Sequence, residues 1–145
     1  MTRFLLDTNI MSSVTKQIPS DALLAWMADQ NDDDLFISAL TIAEIWRGAA
    51  GKAQRKKALS VGSLVRRSGR TPGTFAGRVL PFDEKAALAW ARLMAEDTTK
   101  GRPRSALDMI IAAVAEASGC DVVADNERDF AGLGFVNPLR DGMPS

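Results

Sequence analysis

The sequence contains no histidine, no tyrosine and only one cysteine, Cys120. Without histidine, Ser-His-Asp and Cys-His catalysis, His-ligated zinc and the commonest general base are excluded. A lone cysteine cannot close an internal disulfide, which fits a reducing, cytoplasmic setting. No apolar run approaches the roughly 18 residues of a membrane span. Asp7 interrupts the first such run after Phe4, Leu5 and Leu6, which argues against a signal peptide. Any chemistry must therefore run on carboxylates, hydroxyls, Lys, Arg or a hard cation with oxygen ligands.

Acidic residues are missing altogether between positions 47 and 78, where nine bases stand: Arg47, Lys52, Arg55, Lys56, Lys57, Arg66, Arg67, Arg70 and Arg78. The chain is neutral overall, with 18 basic and 18 acidic residues, so half of its positive charge lies in this block. Such a block can attract a polyanion, or it can be a solvated helix face. The remaining composition, 145 residues with 46% hydrophobic and 25% charged, is that of one soluble globular domain spanning 1–145.

Short apolar strands alternate with helical stretches. Residues 3–6, 35–37, 79–82, 121–124 and 135–136 read as strands. Asp7-Thr8-Asn9 reads as capping a first helix, and Pro19-Ser20-Asp21 as opening a second that carries Leu23, Leu24, Trp26 and Met27. Further helices are expected over 38–50 and 52–67, from the Asp83 cap through Met94, and from Ser105 to a stop at Gly119. Ser68 to Gly77 and Thr98 to Arg104 read as loops. Alternation of this kind predicts an α/β domain with a mainly parallel sheet. In such a sheet the helix N-termini lie at the edge where the strands end, which is where ligands bind. Asp7 ends the first strand, Glu44 lies early in the helix after the second, and Asp108 opens the helix before the 121–124 strand. Asp125, Asn126 and Asp129 follow that strand.

Four separate segments thus bring carboxylates to one edge. Crowded carboxylates repel, and Mg²⁺ or Mn²⁺ would balance them while keeping several bound waters. Each acid also has a structural use, as a helix cap, a first-turn acid or a turn residue. Glu44 is the hardest to explain that way, because it stands among Ile42, Ala43, Ile45 and Trp46.

Four segments, FLLDTNIMSS at 4–13, ISALTIAEIWRG at 37–48, DMIIAAVAEASG at 108–119 and VVADNERDF at 122–130, occur in an order and spacing that resemble a PIN-domain ribonuclease of the VapC toxin type. The Val136-Asn137-Pro138 stretch extends the likeness over essentially the whole chain. The resemblance implies a PIN-like α/β fold, a twisted and mainly parallel sheet of four to five short strands flanked by helices. It implies Mg²⁺- or Mn²⁺-dependent RNA hydrolysis, homodimerisation, and inhibition by a cognate VapB-type antitoxin.

By position, the resemblance makes Asp7, Glu44 and Asp108 the metal-binding acids, with Thr8 and Asn9 orienting Asp7 through hydrogen bonds. The fourth segment departs from the family pattern, with Ala124 in place of Thr or Ser and Asp125 in place of a base. There Asn126 is expected to point into the cleft, Asp129 to reach it through water as a fourth catalytic acid, and Asp125 to project away. Arg47, Lys52, Arg102 and Arg104 are the expected RNA-backbone contacts, Arg104 replacing an apolar residue common in the family. Alternative readings are a non-toxin metal-dependent nuclease or phosphatase, or a catalytically weak RNA-binding module of the same fold. No Asp-x-Asp pair follows the first strand and no Gly-rich phosphate loop is present, which disfavours a phosphatase.

Overall fold

Successive side chains of a strand point to opposite faces, so a short strand that is apolar at every position needs cover on both sides. The computed structural model describes residues 2–14, 20–48, 51–52, 55–56, 58–59, 67–68, 71–72, 75, 77–101, 104–126, 128, 130 and 132–141. Strand β1 (Arg3–Leu6) leads into helices α1 (Thr8–Val14) and α2 (Asp21–Ala28), then β2 (Leu35–Ser38) and α3 (Ala39–Arg47). After the short strands β3 (Arg67–Ser68), β4 (Thr71–Pro72) and β5 (Val79–Leu80) come α4 (Glu84–Lys100) and α5 (Ala106–Ala117). Strands β6 (Cys120–Val123) and β7 (Phe135–Val136) and helix α6 (Pro138–Asp141) complete the chain.

The main sheet has the order β5-β2-β1-β6-β7, with every pairing parallel. β1 lies at its centre, so Leu5 and Leu6, neighbours in sequence, serve different cores. Leu5 and Val122 join Leu93 and the apolar stripe Met109, Ile111 and Val114 on one face. Leu6, Ile37 and Val123 meet Ile10, Met11, Leu23, Trp26 and Ile45 on the other. Each such burial contributes about 1.5–3 kcal/mol, and together they hold α4 and α5 on one side and α1–α3 on the other. Trp26 is a core residue and packs edge-on against Phe4, with ring centroids 5.0 Å apart.

Side-chain caps fix where the helices begin. Ser20 and Ser38 accept from the N–H groups of Leu23 and Leu40, Asp83 from Ala86, and Ser105 from Asp108. Two expected loops carry regular structure instead. β3 and β4 pair antiparallel within the stretch read as a helix end and loop, and Arg67 is strand. The helical residues described in that region are 52, 55–56 and 58–59. α4 runs three residues past 97, to Lys100, and is stopped by Gly101 in the left-handed conformation (φ 65°), open to glycine at no steric cost. No helix among the described residues is long and apolar enough to cross a membrane.

Candidate active site

The C-terminal ends of β1, β2 and β6 lie side by side, which brings the starts of α1, α3 and α5 to one edge of the sheet. Asp7 is the first residue beyond β1, and its N–H donates to the Val123 carbonyl at 3.0 Å, extending the β1–β6 pairing by one residue. Its Oδ1 accepts the Ile10 N–H at 2.9 Å, so Asp7 also caps α1. The structural use and the candidate functional use of this acid therefore coincide. Asp7 is 4% exposed, and its carboxyl is pushed up from 3.8 to about 7. Burial is the main cause, opposed by the Ile10 N–H and reinforced by the negative charges of Asp125, Asp108 and Glu44.

Glu44 is half-buried on α3 and accepts a hydrogen bond from Thr8 Oγ1 at 2.8 Å. Thr8 Oγ1 also lies 3.2 Å from the hydroxyl of Thr41, which is fully buried. Thr8 thus orients Glu44, where the sequence led us to expect it on Asp7; Asp7 is held by backbone instead. Asn9 is exposed. Thr41 was not singled out from the sequence, although its position three residues before Glu44 places it on the same helix face. Asp108 is half-buried in the first turn of α5, with its N–H donating to Ser105 Oγ at 3.3 Å.

The segment after β6 also acts on Asp7. Among the described residues, Asp125 is the carboxylate whose charge acts most strongly on Asp7, ahead of Asp108 and Glu44. Its carbonyl accepts from Asn137 Nδ2 at 3.3 Å, and Asn137 Oδ1 accepts the Leu139 N–H at 3.0 Å. Buried Asn137 therefore ties the Asp125 turn to the start of α6, a role that the sequence reading did not assign. Asn126 is exposed, and Asp129 and Arg102 lie outside the described residues.

The basic candidates divide. Arg47 and Lys52 are exposed. The guanidinium of Arg104 is instead engaged by Asp97 through Nε and Nη2, so the fold itself uses this residue. Arg78 likewise donates from Nε to the Leu35 carbonyl at 2.9 Å. The basic block is thus partly structural.

A parallel α/β domain with Asp7 at the end of its central strand, and with the charges of Asp125, Asp108 and Glu44 acting on that buried carboxyl, defines the class to which the chain is to be compared. The chain belongs to the PIN domain family, whose model matches residues 4–136. It is 39% identical to "VapC ribonuclease Y4jK" of Sinorhizobium fredii, over 92% of this chain and 95% of the relative. Among solved structures it is similar to FitAcB from Neisseria gonorrhoeae, with TM-score 0.79 and 31% identity over 94% of this chain and 99% of that one. It is also similar to DNA-bound VapBC from Salmonella typhimurium, with TM-score 0.77 and 26% identity over 95% of this chain and 99% of that one.

Proposed function

We propose that this chain is a divalent-metal-dependent endoribonuclease, the toxin of a VapBC-type toxin–antitoxin module, held inactive by a cognate VapB-type antitoxin. The observation that carries this reading is the buried Asp7 carboxyl, raised to about 7 among Asp125, Asp108 and Glu44. A chain gains nothing in stability by collecting like charges, so the cluster calls for a positive counterpart. Full-length likeness to a VapC ribonuclease and to toxin–antitoxin complexes supports RNA as substrate and a protein inhibitor as partner.

The donor set fits Mg²⁺ or Mn²⁺, because every candidate ligand is a carboxylate oxygen. Among the described residues no three His, Cys, Asp or Glu side chains converge closely enough to hold a metal as a ready-made cluster. Asp7 and Asp108 would hold the ion, with Glu44 in direct contact or bridged by water. When bound, the ion would supply charge stabilisation for phosphodiester hydrolysis and make water a better nucleophile.

The chain's own residues do the positioning. Ile10 N–H fixes the Asp7 carboxylate, Thr8 aims Glu44, and Ser105 sets the first turn of α5 that carries Asp108. Exposed Arg47 and Lys52 would hold RNA phosphates, contacts that position a strand without specifying its sequence. An antitoxin segment carrying Arg or Lys would find charge-assisted partners in the same cleft. A homodimer and a cytoplasmic location complete the reading.

Purified protein should cleave RNA with added Mn²⁺ or Mg²⁺ and stop with EDTA. Asp7→Asn and Asp108→Asn should each lose about 100-fold or more while remaining folded, since several kcal/mol of charge stabilisation go with the ion. Cleavage that survives EDTA, or full activity in either variant, would overturn the assignment. Co-expression with the product of a neighbouring short gene should suppress cleavage.

A further inference from the structure

Asp97 is 3% exposed and stands in the last turn of α4. A carboxylate there is unfavourable twice over, once for burial and once for the negative end of the helix dipole. Arg104 answers both. Its Nε lies 3.1 Å from Asp97 Oδ1 and 3.0 Å from Oδ2, and its Nη2 lies 2.7 Å from Oδ1. The Arg104 backbone N–H also bonds Asp97. Both the main chain and the side chain of residue 104 are therefore tied to α4.

The next residue is Ser105, whose hydroxyl caps α5 by accepting the Asp108 N–H. From Asp97 the connections run through Arg104 and Ser105 to the third acid of the cleft. An apolar pair of similar volume would often stabilise the fold as well as this ion pair does. What the bidentate pair adds is direction, because two parallel N–H···O bonds fix angle as well as distance.

We propose that Asp97 and Arg104 form a positioning clamp that sets the entry angle of α5 and so fixes where Asp108 presents its carboxylate beside Asp7 and Glu44. This rests on the proposed reading that Asp108 serves the cleft. Neither residue touches the reacting groups.

The test compares Arg104→Met, Arg104→Lys and a control, Leu23→Ala, which opens the opposite core. Two properties are read at a temperature where every variant is folded: amide exchange at 105–110 relative to β1, and Mn²⁺ affinity by titration without RNA. Arg104→Met should speed exchange at 105–110 about tenfold and weaken Mn²⁺ about tenfold, the low end of what supporting contacts contribute. Arg104→Lys keeps the charge without the fork and should fall between. Leu23→Ala should lower the melting temperature and leave both readouts at wild-type values.

The clamp is overturned if Arg104→Met merely melts earlier, with relative exchange and Mn²⁺ affinity unchanged. Should Arg104→Met fail to fold, Arg104→Lys decides by the same two readouts. Should wild-type protein bind no Mn²⁺, the metal-dependent reading falls, and exchange at 105–110 still decides the clamp.

Discussion

Asp7 and Asp97 are 4% and 3% exposed, yet their surroundings are opposite. Asp97 faces a guanidinium that satisfies both its oxygens, and Arg104 holds its carboxyl below the usual range. Asp7 receives a backbone N–H, and burial first, then the charges of Asp125, Asp108 and Glu44, raise its carboxyl to about 7. Low exposure therefore has opposite outcomes: burial dominates at Asp7, and the Arg104 hydrogen bonds dominate at Asp97. The paired acid ties two helices together. The unpaired one leaves a charge deficit that an ion or a basic side chain can fill.

Removing Asp97 should give the largest stability effect in this comparison. Asp97→Ala leaves a mostly buried guanidinium without its partner and should cost about 3 kcal/mol in urea denaturation, the lower end for a broken buried pair. Asp7→Asn should be neutral or stabilising at pH 7, since it removes a repelled charge. An Asp7→Asn variant that is destabilised as much as Asp97→Ala would erase the distinction.

The pH dependence sharpens it. Asp7 has a folded value of about 7 against an ordinary 3.8, so between these values the folded state binds more protons than the unfolded one. Its contribution to stability therefore falls as pH rises from about 4 to 7. Asp97 has the reverse sign: its lowered value gives stability present above the unfolded value and lost on acidification through the folded one. Metal-free protein melted across this range should lose the Asp7 contribution in Asp7→Asn, and Mn²⁺ should flatten it in the wild type. A slope that is identical in Asp7→Asn would remove Asp7 as its source.

The smallest effect separates orientation from charge. Thr8→Val removes the hydroxyl that donates to Glu44 while keeping shape and every carboxylate. Cleavage should drop about tenfold, typical of a contact that aims a ligand, with the Asp7-dependent stability slope retained. Wild-type cleavage in Thr8→Val would show that Glu44 needs no such support.

Much of this protein is legible in its sequence. Short unbroken apolar runs and helical apolar patterns place β1, β2, β6, β7 and the long helices, because burying apolar side chains is a local demand written along the chain. Ser20, Asp83 and Ser105 announce helix starts for the same reason, since a cap bonds a backbone group three residues away. The parallel topology and the edge where Asp7, Glu44 and Asp108 meet follow from handedness rules that need no side-chain detail. The tertiary structure alone decided which charges face one another. Nothing local marks Arg104 as Asp97's partner in place of a phosphate contact, Thr8 as Glu44's donor, or Asp125 as the strongest charge on Asp7. Those pairings depend on ångström-scale distances between segments 7 to 118 residues apart, and Coulomb and hydrogen-bond energies change steeply over such distances.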